Sequence, residues 1–250
     1  MISSASVYRD GQGRTLDEAG ENGFPDFPGP ITEDQPTVDP GPATYSTRKV
    51  TLERRLLDGS GRSVIVIRPG AVYGPYSSHP REWWFVKRMM DGRRVIPLAY
   101  RGQSRFHTVA AANLAALIAT ALGKPGSRIL NAADPEAPTA AEIGALIARH
   151  MDYKGAILPL DAGDEKGRAA VGWSPWSVPA PFTLGTAAAL ALGYTPSTSY
   201  ADAVGPACDW LRRKNADDWE RNFPILANYP VPLFNYAAED AFLSLIKPSY

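Results

Sequence analysis

The chain has 250 residues, 44% of them apolar, with 26 acidic and 26 basic side chains and a formal net charge of zero. That apolar share is ordinary for a globular protein, and zero net charge gives no electrostatic case for nucleic acid or an anionic membrane surface as a partner. No apolar run reaches the ~18 residues of a membrane-spanning helix, no basic-then-apolar leader opens the chain, and one cysteine, Cys208, excludes an internal disulfide framework and fits a reducing cytoplasm.

Ile2-Ser3-Ser4-Ala5-Ser6-Val7-Tyr8 reads as the end of a strand running into a loop. Residues 9–44 are rich in Gly, Pro, Asp and Glu without apolar periodicity, which predicts a long surface loop. Pro40 and Pro42 stop any helix before Tyr45. From Tyr45 the pattern of Val50, Leu52, Glu53, Leu56 and Leu57 is helical, with Gly59 as the stop. Residues 64–67 form a continuous β-branched run, as in a parallel strand covered on both faces. A Gly/Pro/Tyr loop over 70–80 leads to an apolar-laden helix over 81–90, a short extended segment over 95–98 and an alanine-rich helix over 109–122. A short strand at 129–132 follows. Thr139 and Glu142 then form a capping-box signature.

Residues 155–182 hold Gly, Pro and aromatics, 183–192 a short helix, and Ser199 with Asp202 caps a helix reaching Arg213. The last helix spans 236–246. Strands and helices alternate to about residue 133, and helix and loop dominate beyond it. The expectation is therefore an α/β fold: a partial Rossmann-like parallel sheet in 1–133 and a smaller α-rich substrate lobe in 134–250. Cys208, beside Ala207 and Trp210 in a helical pattern, reads as core, and the tryptophan pairs read likewise. His79, His107 and His150 show no metal-ligand spacing.

Tyr45 and Lys49 stand one helical turn apart and share a face. An ammonium beside a phenol favours phenolate and lowers a pKa that starts near ~10. A hydroxyl acid/base so tuned can move a proton on and off an alcohol or carbonyl. A serine hydroxyl from the Ser3, Ser4, Ser6 cluster can hold the same oxygen.

The order of these segments resembles the extended short-chain dehydrogenase/reductase family, also called the NAD-dependent epimerase/dehydratase family. The matching residues are the serine segment, Ile31-Thr32-Glu33-Asp34-Gln35-Pro36, Tyr45…Lys49, Arg68-Pro69-Gly70-Ala71-Val72-Tyr73-Gly74-Pro75, Phe106-His107-Thr108-Val109, Ile129-Leu130-Asn131-Ala132-Ala133 and Leu192-Gly193-Tyr194-Thr195-Pro196. The resemblance implies NAD or NADP as cofactor and a small-molecule substrate. It implies Tyr45 as general acid/base and Lys49 as a ligand of the nicotinamide ribose. Ser4, four residues before Tyr8, would bond the reacting oxygen, with Ser3 and Ser6 as nearby substitutes. Pro69 and Gly70 would lie against the carboxamide, and Ser6, Ala71, Arg105 and His107 on the substrate side.

Two departures matter. Ala71 stands where many nucleotide-sugar members carry an asparagine, and a methyl group neither donates nor accepts a hydrogen bond. No Gly-x-x-Gly-x-x-Gly turn follows an apolar strand: Gly11 and Gly13 lie in a polar segment, and Gly59 and Gly61 between a helix and a strand. The chain thus looks like the C-terminal portion of a family member. The expected activity is oxidoreductase or epimerase chemistry at a C–OH/C=O carbon of a sugar or nucleotide sugar, impaired without that turn. A carbonyl reductase of small non-nucleotide substrates stays open. So does a non-catalytic interaction module, whose sheet edge could pair with another chain as a homodimer.

Overall fold

The computed structural model describes residues 1–59, 61–161 and 171–245. Ile246, expected as the end of the last helix, and 162–170 of the aromatic-rich segment lie outside the described residues. In chain order the elements are a 3-10 turn Ala5–Val7, α1 Ala19–Asn22, α2 Tyr45–Gly59, β1 Ile65–Pro69, β2 Ala71–Tyr73, α3 Trp83–Met90, β3 Val95–Leu98, a second 3-10 turn Tyr100–Gly102, β4 Thr108–Ala110 and α4 Ala111–Leu122. Then follow β5 Arg128–Ala132, α5 Ala140–His150, β6 Ala156–Pro159, α6 Ala187–Ala191, α7 Tyr200–Arg212, α8 Trp219–Asn222, α9 Pro224–Ala227 and α10 Tyr236–Leu245.

These elements group into two compact units. The first comprises Met1–Val72, Phe106–Ala137 and Ala180–Asp202; the second comprises Tyr73–Arg105, Pro138–Pro179 and the chain from Ala203 onward. The single cut after residue 133 expected from the sequence differs from this division. Strand pairing follows register, not chain order, so the chain leaves the first unit and comes back to place β5 beside β1.

In the first unit, β1 and β5 pair in parallel with Ile67 opposite Leu130 and Pro69 opposite Ala132. Ile2 makes a parallel bridge to Ile67, with Ser3 N–H donating to Ile67 O at 2.7 Å and Ile67 N–H to Met1 O at 2.9 Å. The expected strand end therefore lies on the other side of β1, and α2 forms the crossover between two parallel neighbours. Val66 and Ile67 point to opposite faces of the sheet and both are buried, which is why that run is apolar without alternation. Ile67, Leu130, Val109 and Leu117 share one core with Ala189 of α6; Val50 of α2 shares another with Val7, Tyr8, Phe27, Ile31 and Leu184.

Residues 9–44 are more than a surface loop. Phe27 and Ile31 are core residues, Ile31 bridges Leu184, and Tyr8 bridges Thr37. A few widely spaced apolar side chains anchor the segment without creating a periodicity. The buried Asp10 carboxylate ties its first part together by accepting the N–H groups of Gln12, Arg14 and Asp26 and the Arg14 guanidinium. The alanine-rich helix starts at Ala111, two residues after the expected 109, because Thr108–Ala110 pairs as β4. Its N-cap, Ala110, has no side-chain acceptor. Asp134, just past β5, supplies one, accepting from Ala110 N–H at 2.8 Å, Asn113 Nδ2 at 2.8 Å and Thr108 Oγ1 at 2.7 Å.

In the second unit β3 and β6 pair in parallel, Ile96 opposite Ile157. The strand β6 lies in the segment read as Gly/Pro-rich and aromatic. Thr139 and Glu142 form the capping box, Thr139 Oγ1 accepting from Glu142 N–H at 3.1 Å and Glu142 Oε2 from Thr139 N–H at 2.7 Å. Trp83, Trp84 and Cys208 are fully buried, and burial pushes the Cys208 thiol up to about 12, as suits a core residue. Arg88 of α3, also buried, holds the C-terminal segment by donating to Leu233 O at 2.7 Å and Glu239 Oε1 at 2.5 Å, with its guanidinium 3.7 Å from the Trp84 ring centroid.

Candidate functional site

Tyr45 is the first residue of α2, and that helix end is fastened from several directions. Thr44 and Thr47 exchange hydrogen bonds in the manner of a capping box, Thr44 N–H to Thr47 Oγ1 at 2.9 Å and Thr47 N–H to Thr44 Oγ1 at 3.2 Å. The Asp17 carboxylate accepts Ser46 N–H at 2.7 Å, placing negative charge at the positive end of the helix dipole. The buried Ser46 hydroxyl reaches Ser6 Oγ at 2.8 Å and Ser6 O at 2.9 Å. The phenol itself projects outward: Tyr45 is 48% exposed.

Lys49 Nζ donates to Ile2 O at 3.1 Å and lies 5.4 Å from the Tyr45 ring centroid. An ammonium has three donors, so a ligand hydroxyl can take another. Ser4 caps the 3-10 turn, its Oγ accepting Ser6 N–H at 3.1 Å and lying 2.9 Å from Ser6 Oγ. Either hydroxyl can donate in the Ser4–Ser6 contact, and donation from Ser6 leaves the Ser4 hydroxyl hydrogen to an incoming oxygen. The fold thus brings Ser4, Ser6 and the N-terminal turn of α2 into one hydroxyl chain, and Lys49 to the strand that precedes it.

Pro69 ends β1 and Gly70 N–H donates to Ala132 O at 3.0 Å. A Cβ on Gly70 would stand 2.3 Å from His107 O, so only glycine allows β1 to pass that carbonyl. Ala71 is buried, its N–H donating to His107 O at 2.8 Å. His107 is a strut: Leu184 N–H donates to Nδ1 at 3.1 Å, and Nε2, which must then carry the proton, donates to Asp134 O at 3.0 Å. Burial holds its pKa below the ordinary histidine range, and with both nitrogens taken the ring has no hydrogen bond for a substrate. Arg105 belongs to the second unit, where its guanidinium lies 3.8 Å from Glu142 Oε2.

Other residues at the site escaped the sequence reading. Glu53, one turn beyond Lys49, is buried and accepts from the Ser3 hydroxyl and, through both its oxygens, from Arg68: Nε at 3.1 Å and a terminal nitrogen at 2.6 Å. Ser3 therefore faces inward, away from the role of a substitute for Ser4. Arg68 also stacks on the Tyr8 ring, 4.9 Å from its centroid, and Tyr8 OH donates to Asn131 Oδ1 at 2.6 Å. Burial pushes the Tyr8 phenol up to about 12, so it stays a neutral donor. The one signal in the sequence was a carboxylate in helical phase with Tyr45 and Lys49. A cavity of about 540 Å³ opens on the flank of α2 beside Pro40, Gly41, Arg48, Thr51, Leu52 and Arg55, and holds none of the candidate residues.

No protein-family model and no curated protein matches the chain. Solved structures do. UDP-glucose 4-epimerase from Thermus thermophilus, in complex with NAD, matches 86% of this chain with a TM-score of 0.59 and 18% identity. UDP-glucuronic acid 4-epimerase from Bacillus cereus matches 85% with a TM-score of 0.60 and 16% identity. The dTDP-glucose 4,6-dehydratase of Streptomyces venezuelae matches 88% with a TM-score of 0.58 and 21% identity. The chain shares the fold of these three structures. It spans 64%, 60% and 61% of the lengths of those three proteins. Among the described residues, no helix is long and apolar enough to cross a membrane.

Proposed function

We propose that this chain carries the catalytic side of an NAD(P)-dependent epimerase, dehydratase or reductase acting on a C–OH/C=O carbon. What supports the proposal is that the N-terminal turn of α2 carries an exposed phenol at Tyr45, with the Lys49 ammonium 5.4 Å from its ring centroid and Ser46 in the same turn joined through Ser6 to Ser4. The three structures named above that share its fold are epimerases and a dehydratase, all three in complex with NAD.

The residues fit the nicotinamide end of such a cofactor. Lys49 and Tyr45 would hold the ribose, and Pro69 with Gly70 would border the carboxamide. When bound, the cofactor accepts or returns a hydride. The chain's own part is proton chemistry. Tyr45 gives a proton to, or takes one from, the substrate oxygen, and the Ser4 hydroxyl donates to that oxygen and orients it. The proposed setting is the cytoplasm, where such cofactors circulate.

Substrate class follows from Ala71. Its buried methyl gives no hydrogen bond, which favours small carbonyl compounds or sugars over substrates that an asparagine there would hold. The test is turnover by the purified chain with NAD or NADP, offered UDP- and dTDP-sugars beside small ketones and alcohols, with products separated by chromatography. Tyr45→Phe, which removes only the hydroxyl, is expected to lower turnover by about 10²–10⁴-fold without changing Tm. Equal turnover in Tyr45→Phe would refute the assignment. A stable dimer in light scattering, with no turnover on any substrate, would favour the interaction module.

A further inference from the structure

We propose that Glu53 and Arg68 are positioning residues which, with Ser3, set the geometry between Ser4 and the Tyr45–Lys49 pair; this rests on the acid/base reading of that site. Each member of the junction adjoins a candidate group. Ser3 precedes Ser4. Glu53 lies one turn beyond Lys49 and two beyond Tyr45 on α2. Arg68 precedes Pro69 and Gly70. The three elements that carry the candidate chemistry are therefore fastened to one another at a single buried carboxylate, one residue or one to two helical turns from the groups it would align.

The kind of contact matters as much as its place. Glu53 and Arg68 form a two-bond fork, which fixes the angle between α2 and β1 as well as their separation. The guanidinium is held from its other side by the Tyr8 ring, and Tyr8 is held by Asn131. Asn131 is saturated: its amide nitrogen donates to Ile31 O at 2.8 Å and Gly185 O at 3.1 Å, and its N–H to Glu33 Oε1 at 2.7 Å. Arg68 thus has little room to turn. An apolar pair of similar volume could fill the space as stably as a buried ion pair does. It could not accept the Ser3 hydroxyl, and so could not hold the serine turn against α2. That difference separates positioning from simple packing.

The experiment uses the full chain and three variants: Glu53→Gln, which keeps the shape and loses the charge; Arg68→Lys, which keeps the charge and loses the fork; and the double variant Glu53→Leu/Arg68→Met. Two measurements are made on each. Amide hydrogen exchange reads the serine turn directly. In the folded double variant the amides of Ser3 and Ser6 are expected to exchange faster by about tenfold or more, while those of Leu117 and Leu130 keep their rates. In active protein, kcat is expected to fall by about tenfold or more, with KM within about twofold of the parent, because orientation and not binding is lost. Arg68→Lys is expected to lie between parent and double variant. Unchanged exchange at Ser3 and Ser6 in a folded variant, or unchanged kcat, overturns the proposal. Should the double variant unfold, a further variant, Ser3→Ala, which removes the hydroxyl that Glu53 accepts, supplies the same readings at Ser6. A parent chain without turnover defeats the enzymatic reading alone, and the exchange data still decide the junction.

Discussion

Two tyrosines of the serine–tyrosine region show how environment assigns work to identical side chains. Tyr8 is buried, its phenol pushed up to about 12, and it serves as a fixed donor to Asn131. Tyr45, by contrast, is half open to solvent at the start of α2. Asp10 makes the same point for a carboxylate. Burial opposes its ionisation, but the N–H groups of Asp26, Arg14 and Gln12 and the Arg14 guanidinium outweigh burial and pull its pKa down to about 2. A carboxylate with a depressed folded-state pKa stabilises the protein above its unfolded value, near ~3.9, and that stabilisation fades as pH falls toward the folded value. Asp10→Asn is therefore expected to lower Tm most at neutral pH. The Tm gap from the parent should narrow between about pH 4 and pH 2. Thermal melts across that range check it, and a gap that widens toward acid would refute the assignment.

At the scale of elements, the legible features were those whose partners sit nearby in sequence. Thr139 and Glu142 are three residues apart, and their capping box formed as the sequence indicates. The Tyr45 helix and the 64–67 run were legible for the same reason: periodicity is local. The strand β6 was not. It is four residues long, and its identity comes from pairing with β3, far upstream. Nor was the packing of 9–44, which hangs on isolated side chains such as Phe27 and Ile31. Gly144 illustrates an element fixed by its neighbours. A Cβ there would stand 2.7 Å from Phe85 Cε1 and 2.8 Å from Ile157 Cδ1. Helix propensity favours Ala over Gly by ~1 kcal/mol, but overpacking a closed core costs ~1–3 kcal/mol. Since the Phe85 ring is fully buried, packing wins, and Gly144→Ala is expected to lower Tm by roughly 2–4 °C per kcal/mol of net loss. Calorimetry showing a higher Tm would mean that α5 can shift away from α3 and β6.

For the whole molecule, the shared fold covers 86% of this chain but 64% of the Thermus epimerase. Under the proposed function, Tyr45, Lys49, Pro69 and Gly70 would serve the nicotinamide end of a dinucleotide. No described strand–helix junction carries the glycine turn that lets backbone N–H groups cradle a pyrophosphate. Calorimetric titration with NAD and NADP is therefore expected to show weak binding, above the micromolar range. A micromolar dissociation constant would show that other groups in this chain hold the phosphates.

By itself the sequence determined which residues lie on one helix face, which apolar run becomes the central strand β1, and the order of motifs along the chain, because each is set by neighbours along the chain. Only the tertiary structure decided that His107 is occupied on both nitrogens by the backbone, and that Ser3 faces Glu53 while Ser4 does not. Those outcomes depend on the register in which distant segments meet β1, and a shift of one residue there turns each side chain to the opposite face.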